Sequence, residues 1–305
     1  MTREDAERLL ALSRQARFLG PDARTWIERL TPDKHQIVEA TRCFVEEGRA
    51  AEAAELAGRV WRLWLVSGDI AGGRDLLAIA LEHPDAAPSR DRALALYGDG
   101  LLAFRQGEQD ESRRRNEEAL EAARAVGDRD AEALALVGLS RVAFRDGDNG
   151  RVRSLALHAR ELVRDLEPAS QVAPLHLLAA GTRLSGELDA AVALYEESLD
   201  LNRALGDERM VAVELHNIGH VELHRGNVEE ARRRFAECAE LRASDDPYDV
   251  AMRHLNDAAL AYAAGERRRA LELLGTAQST LDDAGIALDP DDAFEVDWLR
   301  SRVGG

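Results

Sequence analysis

Three histidines, His216, His220 and His224, follow one another at intervals of four residues, and no other residues in this 305-residue chain have a type and spacing that so invite chemistry. On a helix such positions lie along one side with a drift of about 40° per step, so adjacent imidazoles could share a metal ion or pass a proton. Zinc would need a carboxylate or water to complete its shell, and none is specified nearby, because Glu222 points to a different side of the helix. General acid–base work would need a nucleophile or a substrate pocket beside the row. The sequence therefore assigns no metal site and no catalytic residue. A metal-dependent enzyme centred on the row is kept as the third reading.

The other motifs exclude more than they offer. Lys34 is the sole lysine and sits in Thr-Pro-Asp-Lys-His, not in the Gly-Lys-Ser/Thr of a phosphate loop. There is no G-x-G-x-x-G after a strand, no G-x-S-x-G elbow, no Cys-x-x-Cys pair and no strand pattern. No cofactor is expected and the chain is read as not an enzyme. Three arginine triplets, Arg113 to Arg115, Arg232 to Arg234 and Arg267 to Arg269, have acids such as Glu117, Glu118, Glu229 and Glu230 within a turn. They read as self-neutralised, solvated faces, because nucleic-acid binding needs an extended basic patch. Cys43 and Cys238 fall on apolar helix sides and read as small core residues.

The elements that must position these residues are helices. In residues 213–225 Leu215, Ile218, Gly219 and Leu223 make an apolar face, a Gly226-Asn227 turn follows, and Ala231, Phe235 and Cys238 face inward from the next helix. Gly219 and Ala231 let the two helices approach closely, and the combined apolar face is too broad for one hairpin, so copies must stack. The copies exist: Gly68, Gly107, Gly147, Gly186, Gly226 and Gly265 stand 39, 40, 39, 40 and 39 residues apart. Midway come Pro88, Gly127-Asp128, Glu167-Pro168, Gly206-Asp207, Asp246-Pro247 and Gly285, while Gly48 and Gly20-Pro21 extend the rhythm toward the N-terminus. Helices are expected over 3–19, 21–30, 34–47, 50–66, 70–82 and 290–303, with regular hairpins from Arg90 to Ala284. His83 to Ser89 reads as an extended hinge, and 290–303 as a cap shielding Leu271, Leu274 and Leu281.

The spacing of Leu215, Ile218-Gly219, Gly226, Ala231, Phe235 and Cys238 resembles the tetratricopeptide repeat, with a longer second helix than the usual unit. Gly20-Pro21-Asp22 leading into Trp26 to Leu30, Trp61 with Trp64, and Arg269-Ala270 with Leu274-Gly275 and Ala277 are similar to the C-terminal repeat arms of bacterial signal-transducing ATPases and transcriptional activators. The resemblance implies an all-α, right-handed α-solenoid of about seven stacked hairpins. It divides the chain into lead-in helices (1–31), degenerate hairpins (32–88), a regular array (89–285) and a capping helix (286–305). The ATPase core is absent; the chain reads as a stand-alone arm if Met1 is its natural start, and otherwise as an excised one. Asp99 and Asp257 occupy a position where the repeat places Leu, which requires a partner such as Asn116 for Asp99, or exposure.

Composition agrees: 45% hydrophobic with 5% aromatic residues suits many small interfaces better than one large core. A net charge of −17 repels nucleic acid and anionic membranes, and no apolar run is long enough to span a bilayer or serve as a signal peptide. A cytoplasmic location is expected.

The resemblance also implies that first-helix positions line a concave groove. Superposed on the Gly226 copy, Val213, His216, His220, Leu223 and His224 correspond to Leu94, Tyr97, Leu101, Phe104 and Arg105, and to Leu134, Val137, Arg141, Phe144 and Arg145. The remaining copies give Ala173, His176, Ala180, Arg183 and Leu184, and Met252, Leu255, Ala259, Tyr262 and Ala263; Asn217 is added beside His216. No acid appears in the rows of a chain with 57 Asp and Glu. The groove is therefore expected to be apolar, aromatic and weakly basic, suited to a protein or peptide partner of hydrophobic and acidic character. The function expected is a non-enzymatic binding or regulatory scaffold in signal transduction. The alternative is a small-molecule sensor arm acting with an ATPase or transcription regulator in trans. The oligomeric state and the partner's identity stay open.

Overall fold

Gly226 sits at φ 83°, a left-handed conformation that a side chain would strain, and this turns the chain sharply between two antiparallel helices. The other glycines of the 39- and 40-residue ladder adopt the same sign of φ. The acids beside such turns start the helices that follow: Asp148 and Asp207 accept hydrogen bonds from the backbone N–H of Arg151 and Met210. The result, in a computed structural model, is an all-α helical-repeat protein of the solenoid class, with stacked hairpins. The structure describes all residues except 19, 21, 83–85, 242–245, 285, 287 and 304–305.

In chain order the helices are α1 (Arg3–Gln15), α2 (Ala23–Leu30), α3 (Lys34–Glu46), α4 (Ala50–Val60), α5 (Arg62–Val66), α6 (Ile70–Leu81), α7 (Arg90–Arg105), α8 (Gln109–Val126) and α9 (Arg129–Arg145). There follow α10 (Asn149–Val163), α11 (Pro168–Leu184), α12 (Leu188–Leu205), α13 (Glu208–His224), α14 (Val228–Leu241), α15 (Pro247–Ala263), α16 (Arg267–Ala284) and α17 (Pro290–Val303). The first helix stops at Gln15, short of the expected 19, because Ala16 turns to extended backbone. The expected 50–66 helix is divided at Trp61 into α4 and α5. The expected breaks at Pro21 and Gly285, and His83 to Asp85 of the expected hinge, lie outside the described residues; Ala86 to Ser89 are non-helical. No helix among the described residues is long and apolar enough to cross a membrane.

The chain forms two compact units, Met1–Leu177 and Leu178–Gly305, divided within α11. In the first, α4 packs on α7 and α7 on α9, with α8 set against both α7 and α9. Its core includes Leu56, Trp61, Trp64, Leu76, Leu77 and Leu102. In the second, α13 packs on α14 and α15, and α15 on α16 and α17. Gly219 makes the α13–α14 approach possible, since a methyl group there would overlap the Phe235 ring. Val296, Leu299 and Val303 of α17 are buried in one cluster with Leu274 and Leu281. Leu271 is not beneath that cap; it is 46% exposed.

The two misplaced acids resolve differently. Asp99 is 2% exposed, and its carboxylate is bracketed by Arg74 at 3.0 Å and Arg115 at 2.7 Å. Asn116 is not its partner: the Asn116 amide donates instead to the Ser112 carbonyl. Asp257 is exposed. The arginine triplets are largely engaged with acids, Arg113 with Asp146, Arg114 with Glu111 and Glu118, Arg234 with Glu196 and Glu230. Cys43 and Cys238 are free thiols, Cys238 buried and Cys43 half-buried.

Candidate functional site

The histidine row lies on α13, where the 3.6-residue period aligns His216, His220 and His224 on one side. Helix α17 lies against them. Asp292 Oδ1 is 2.9 Å from His216 Nε2, Glu295 Oε2 is 3.2 Å from His220 Nδ1, and the same Glu295 oxygen is 2.9 Å from His224 Nε2. Trp298 stacks on the His224 ring with centroids 4.2 Å apart, and meets Tyr262 edge-on. The spacing of Asp292, Glu295 and Trp298 puts all three on one face of α17, so the two helices match residue for residue in the same chain order.

Two further side chains close the network. Arg183, at the end of α11, donates to Asn217 Oδ1 at 2.9 Å and to the Asp291 carbonyl at 3.2 Å, and lies 3.4 Å from Glu295. The Tyr248 hydroxyl donates to Asp292, and His220 Nε2 faces Asn256 Oδ1 at 3.1 Å. Burial of Glu295 by itself would raise its pKa, but the charges of His220 and Arg183 and the hydrogen bonds from His220 and His224 outweigh that and hold it well below the usual carboxylate range. Burial raises the Tyr248 phenol, and the neighbouring Asp292 raises it further. Arg183 keeps its charge despite complete burial, because Tyr195, Glu295, Asp291 and Asp292 surround it.

The second unit thus corrects the picture of an open groove. His216, Asn217, His220, Arg183 and Leu255 are all buried, and His224 and Tyr262 are half-buried, because the chain's own acidic helix covers them. Among the described residues no group of three or more His, Cys, Asp and Glu is arranged to hold a metal ion. Each imidazole contacts an oxygen of α17 or α15.

In the first unit the apolar members of the predicted row are sunk as well. Tyr97, Leu101, Phe104, Val137 and Phe144 are buried, while Arg105 is exposed and Arg141 and Arg145 are half-buried above them. Arg145 lies over the Phe104 ring at 4.0 Å and donates to the Phe104 carbonyl; Arg141 donates to the Tyr97 hydroxyl at 3.1 Å. The face is an aromatic floor under a layer of guanidinium groups. Arg62 joins it, 4.5 Å over the Trp61 ring, while Trp61 meets Tyr97 edge-on. His176, on α11, is half-buried. Arg62, Asp292 and Glu295 are absent from the sequence-based set. Arg62 stands six residues before Gly68 as Arg141 does before Gly147, and that register was the available signal.

No protein-family profile matches the chain, and no curated protein matches it. Solved structures do. The tetratricopeptide repeat sensor-bearing signal transduction ATPase with numerous domains from Pyrococcus horikoshii superposes with TM-score 0.64 at 14% identity, over 99% of this chain and 42% of that one. A Rap protein complexed with Competence and Sporulation Factor gives TM-score 0.61 at 14% identity, over 90% and 80% of the two chains. NprR in complex with its cognate peptide NprX gives 0.59 at 15% identity, over 92% and 82%. The fold is that of tetratricopeptide-like helical repeat proteins.

Proposed function

We propose that the chain is a non-enzymatic regulatory scaffold that binds a protein or peptide segment along its first-helix face. The observation that carries this reading is α17 itself. An acidic helix carrying aromatic residues seats on α13 and α15 through the row residues, with Asp292, Glu295 and Trp298 as its contacts. The first helices of this fold can therefore receive a helix of that chemistry, the helix-in-groove mode of recognition. The structure of NprR in complex with its cognate peptide, and that of a Rap protein complexed with Competence and Sporulation Factor, are similar in fold and support the same reading.

A small-molecule sensor role would call for an enclosed chamber on this face. Two clefts among the described residues of the first unit, about 430 and 360 Å³, are lined by residues such as Asp165, Glu167 and Pro168, and Arg92, Leu96 and Glu121, none of them from the row. The chain, by this reading, works in the cytoplasm and reaches its partner without a cofactor. Photo-crosslinking tests it. A photoreactive residue at Arg105, exposed on the first-helix face, should capture a protein in native cells; one at Glu117, exposed on α8, should not. Equal capture from both positions, or none from Arg105, would overturn the proposal.

A further inference from the structure

Six residues before each turn glycine stand Arg62, Leu101, Arg141, Ala180, His220 and Ala259. This position has a visible use in the second unit, where His220 faces a carboxylate, Glu295, at 3.2 Å. Four residues further on, His224 takes the same carboxylate at 2.9 Å, and its counterpart after Arg141 is Arg145. The carboxylate-receiving pair of α13 is thus repeated on α9 as a pair of arginines, with Arg62 on the neighbouring line of first helices.

Arg62 and Arg141 are anomalous in their surroundings. The chain has 57 acids against 40 basic residues, and its surface arginines are widely paired. Among the described residues, neither Arg62 nor Arg141 has a carboxylate at salt-bridge distance; their contacts are the Trp61 ring and the Tyr97 hydroxyl. Burial lowers the Arg62 pKa, and the charge of Arg141 lowers it further against the opposing pull of Tyr97 and Asp130. Asp130 is itself bound to Arg90 at 2.8 Å. Arg62 over the Trp61 ring and Arg141 on the Tyr97 hydroxyl are thus carried by one edge-on aromatic pair, with no carboxylate in contact among the described residues, and an external anion would offset the cost of burying them.

We infer that Arg62 and Arg141, flanking Tyr97 on the first unit, form a carboxylate-binding subsite for an acidic peptide segment supplied by another protein. This rests on the scaffold reading and names the chemistry of its partner. Fork-shaped guanidinium groups can take carboxylates two bonds at a time, and here the Trp61 ring holds Arg62 while the Tyr97 hydroxyl holds Arg141. Aspartate or glutamate side chains at helical spacing would engage the two arginines as Glu295 engages His220 and His224. The chain's own charge of −17 makes a long polyanion such as nucleic acid a poor alternative.

The test uses the full chain and a fluorescein-labelled peptide with the sequence of residues 290–303, alongside a version with its four acids as amides. The acidic peptide should bind and the amide version should bind at least about tenfold more weakly, as expected for lost hydrogen bonds to charged groups. R62Q and R141Q should each weaken the acidic peptide by about tenfold, while R113Q, on α8, leaves binding unchanged. Both R62Q and R141Q should melt no lower than the native chain, because each relieves a repulsion; a lowered melting temperature would mean the arginines serve the fold. Binding indifferent to R62Q and R141Q would overturn the subsite while leaving the scaffold reading to the crosslinking result. Absence of acidic-peptide binding, or equal competition by single-stranded DNA of the same charge, would overturn it as well.

Discussion

Glu295 and His224 face one another at 2.9 Å although 71 residues separate them in the chain. The contact makes α17 a structural member of the second unit as well as its cap. Replacing Glu295 by Gln leaves Arg183, His220 and His224 without their shared anion in a dry site. At neutral pH this should cost about 3 kcal/mol of stability, read from urea unfolding monitored at Trp298. Because the folded pKa of Glu295 is depressed, its contribution is present above the unfolded value of about 4.3 and is lost as pH falls through the folded value. The gap between native and E295Q stabilities should therefore close in acid. Arg183, His216, His220, His224 and Asp292 share the site. An unchanged gap down to the acid transition would contradict the charge assignment.

Deleting residues 290–305 should uncover Leu274 and Leu281 together with the histidine row. Val296, Leu299 and Val303 each leave the core, a loss of about 1.5–3 kcal/mol for every fully buried side chain of this kind. Light scattering should show aggregation of the shortened chain. A shortened chain that stays monomeric and melts unchanged would remove α17 from the core.

Asp99 and Asp257 hold equivalent places in the repeat and should respond oppositely. D99A removes a buried carboxylate shared by Arg74 and Arg115, which keep Glu108, Glu111 and Glu118 as partners, and should cost about 1.5–3 kcal/mol. D257A, at an exposed position, should change stability by no more than about 0.5 kcal/mol. Chemical denaturation of the two variants decides the matter, and equal effects would refute the pairing.

Much of this fold is legible in the sequence because turn glycines at positive φ recur at a fixed interval, and nothing but glycine is comfortable there. The row positions are legible for the same reason. What the sequence does not show is where α17 lies. Its own pattern marks it only as a more polar last helix, and the match of Asp292 to His216 and of Glu295 to His220 depends on a packing direction that no local signal carries. Burial is similarly hidden: Tyr97 and Phe104 belong to the row but are covered by Arg141 and Arg145, because long arginine side chains reach over the smaller floor. A superposition beginning at Gly107 also leaves out Arg62, one repeat earlier.

Two glycines with different surroundings test the packing of the second unit. G219A places a methyl group into the Phe235 ring and should destabilise by about 1–3 kcal/mol. G275A meets nothing within 4 Å on an exposed helical face and should stabilise by about 0.5–1 kcal/mol. Thermal melts of both variants provide the comparison, and a neutral G219A would mean the helices have room to separate.

The central claim is that a partner lies along the first helices of the repeats. Hydrogen–deuterium exchange of the full chain, with and without a saturating acidic peptide of the sequence 290–303, tests it most directly. The account predicts slowed exchange in α5, α7 and α9 and no change in α8 and α10. Protection confined to α8 and α10, or none on the first helices at peptide saturation, would contradict it.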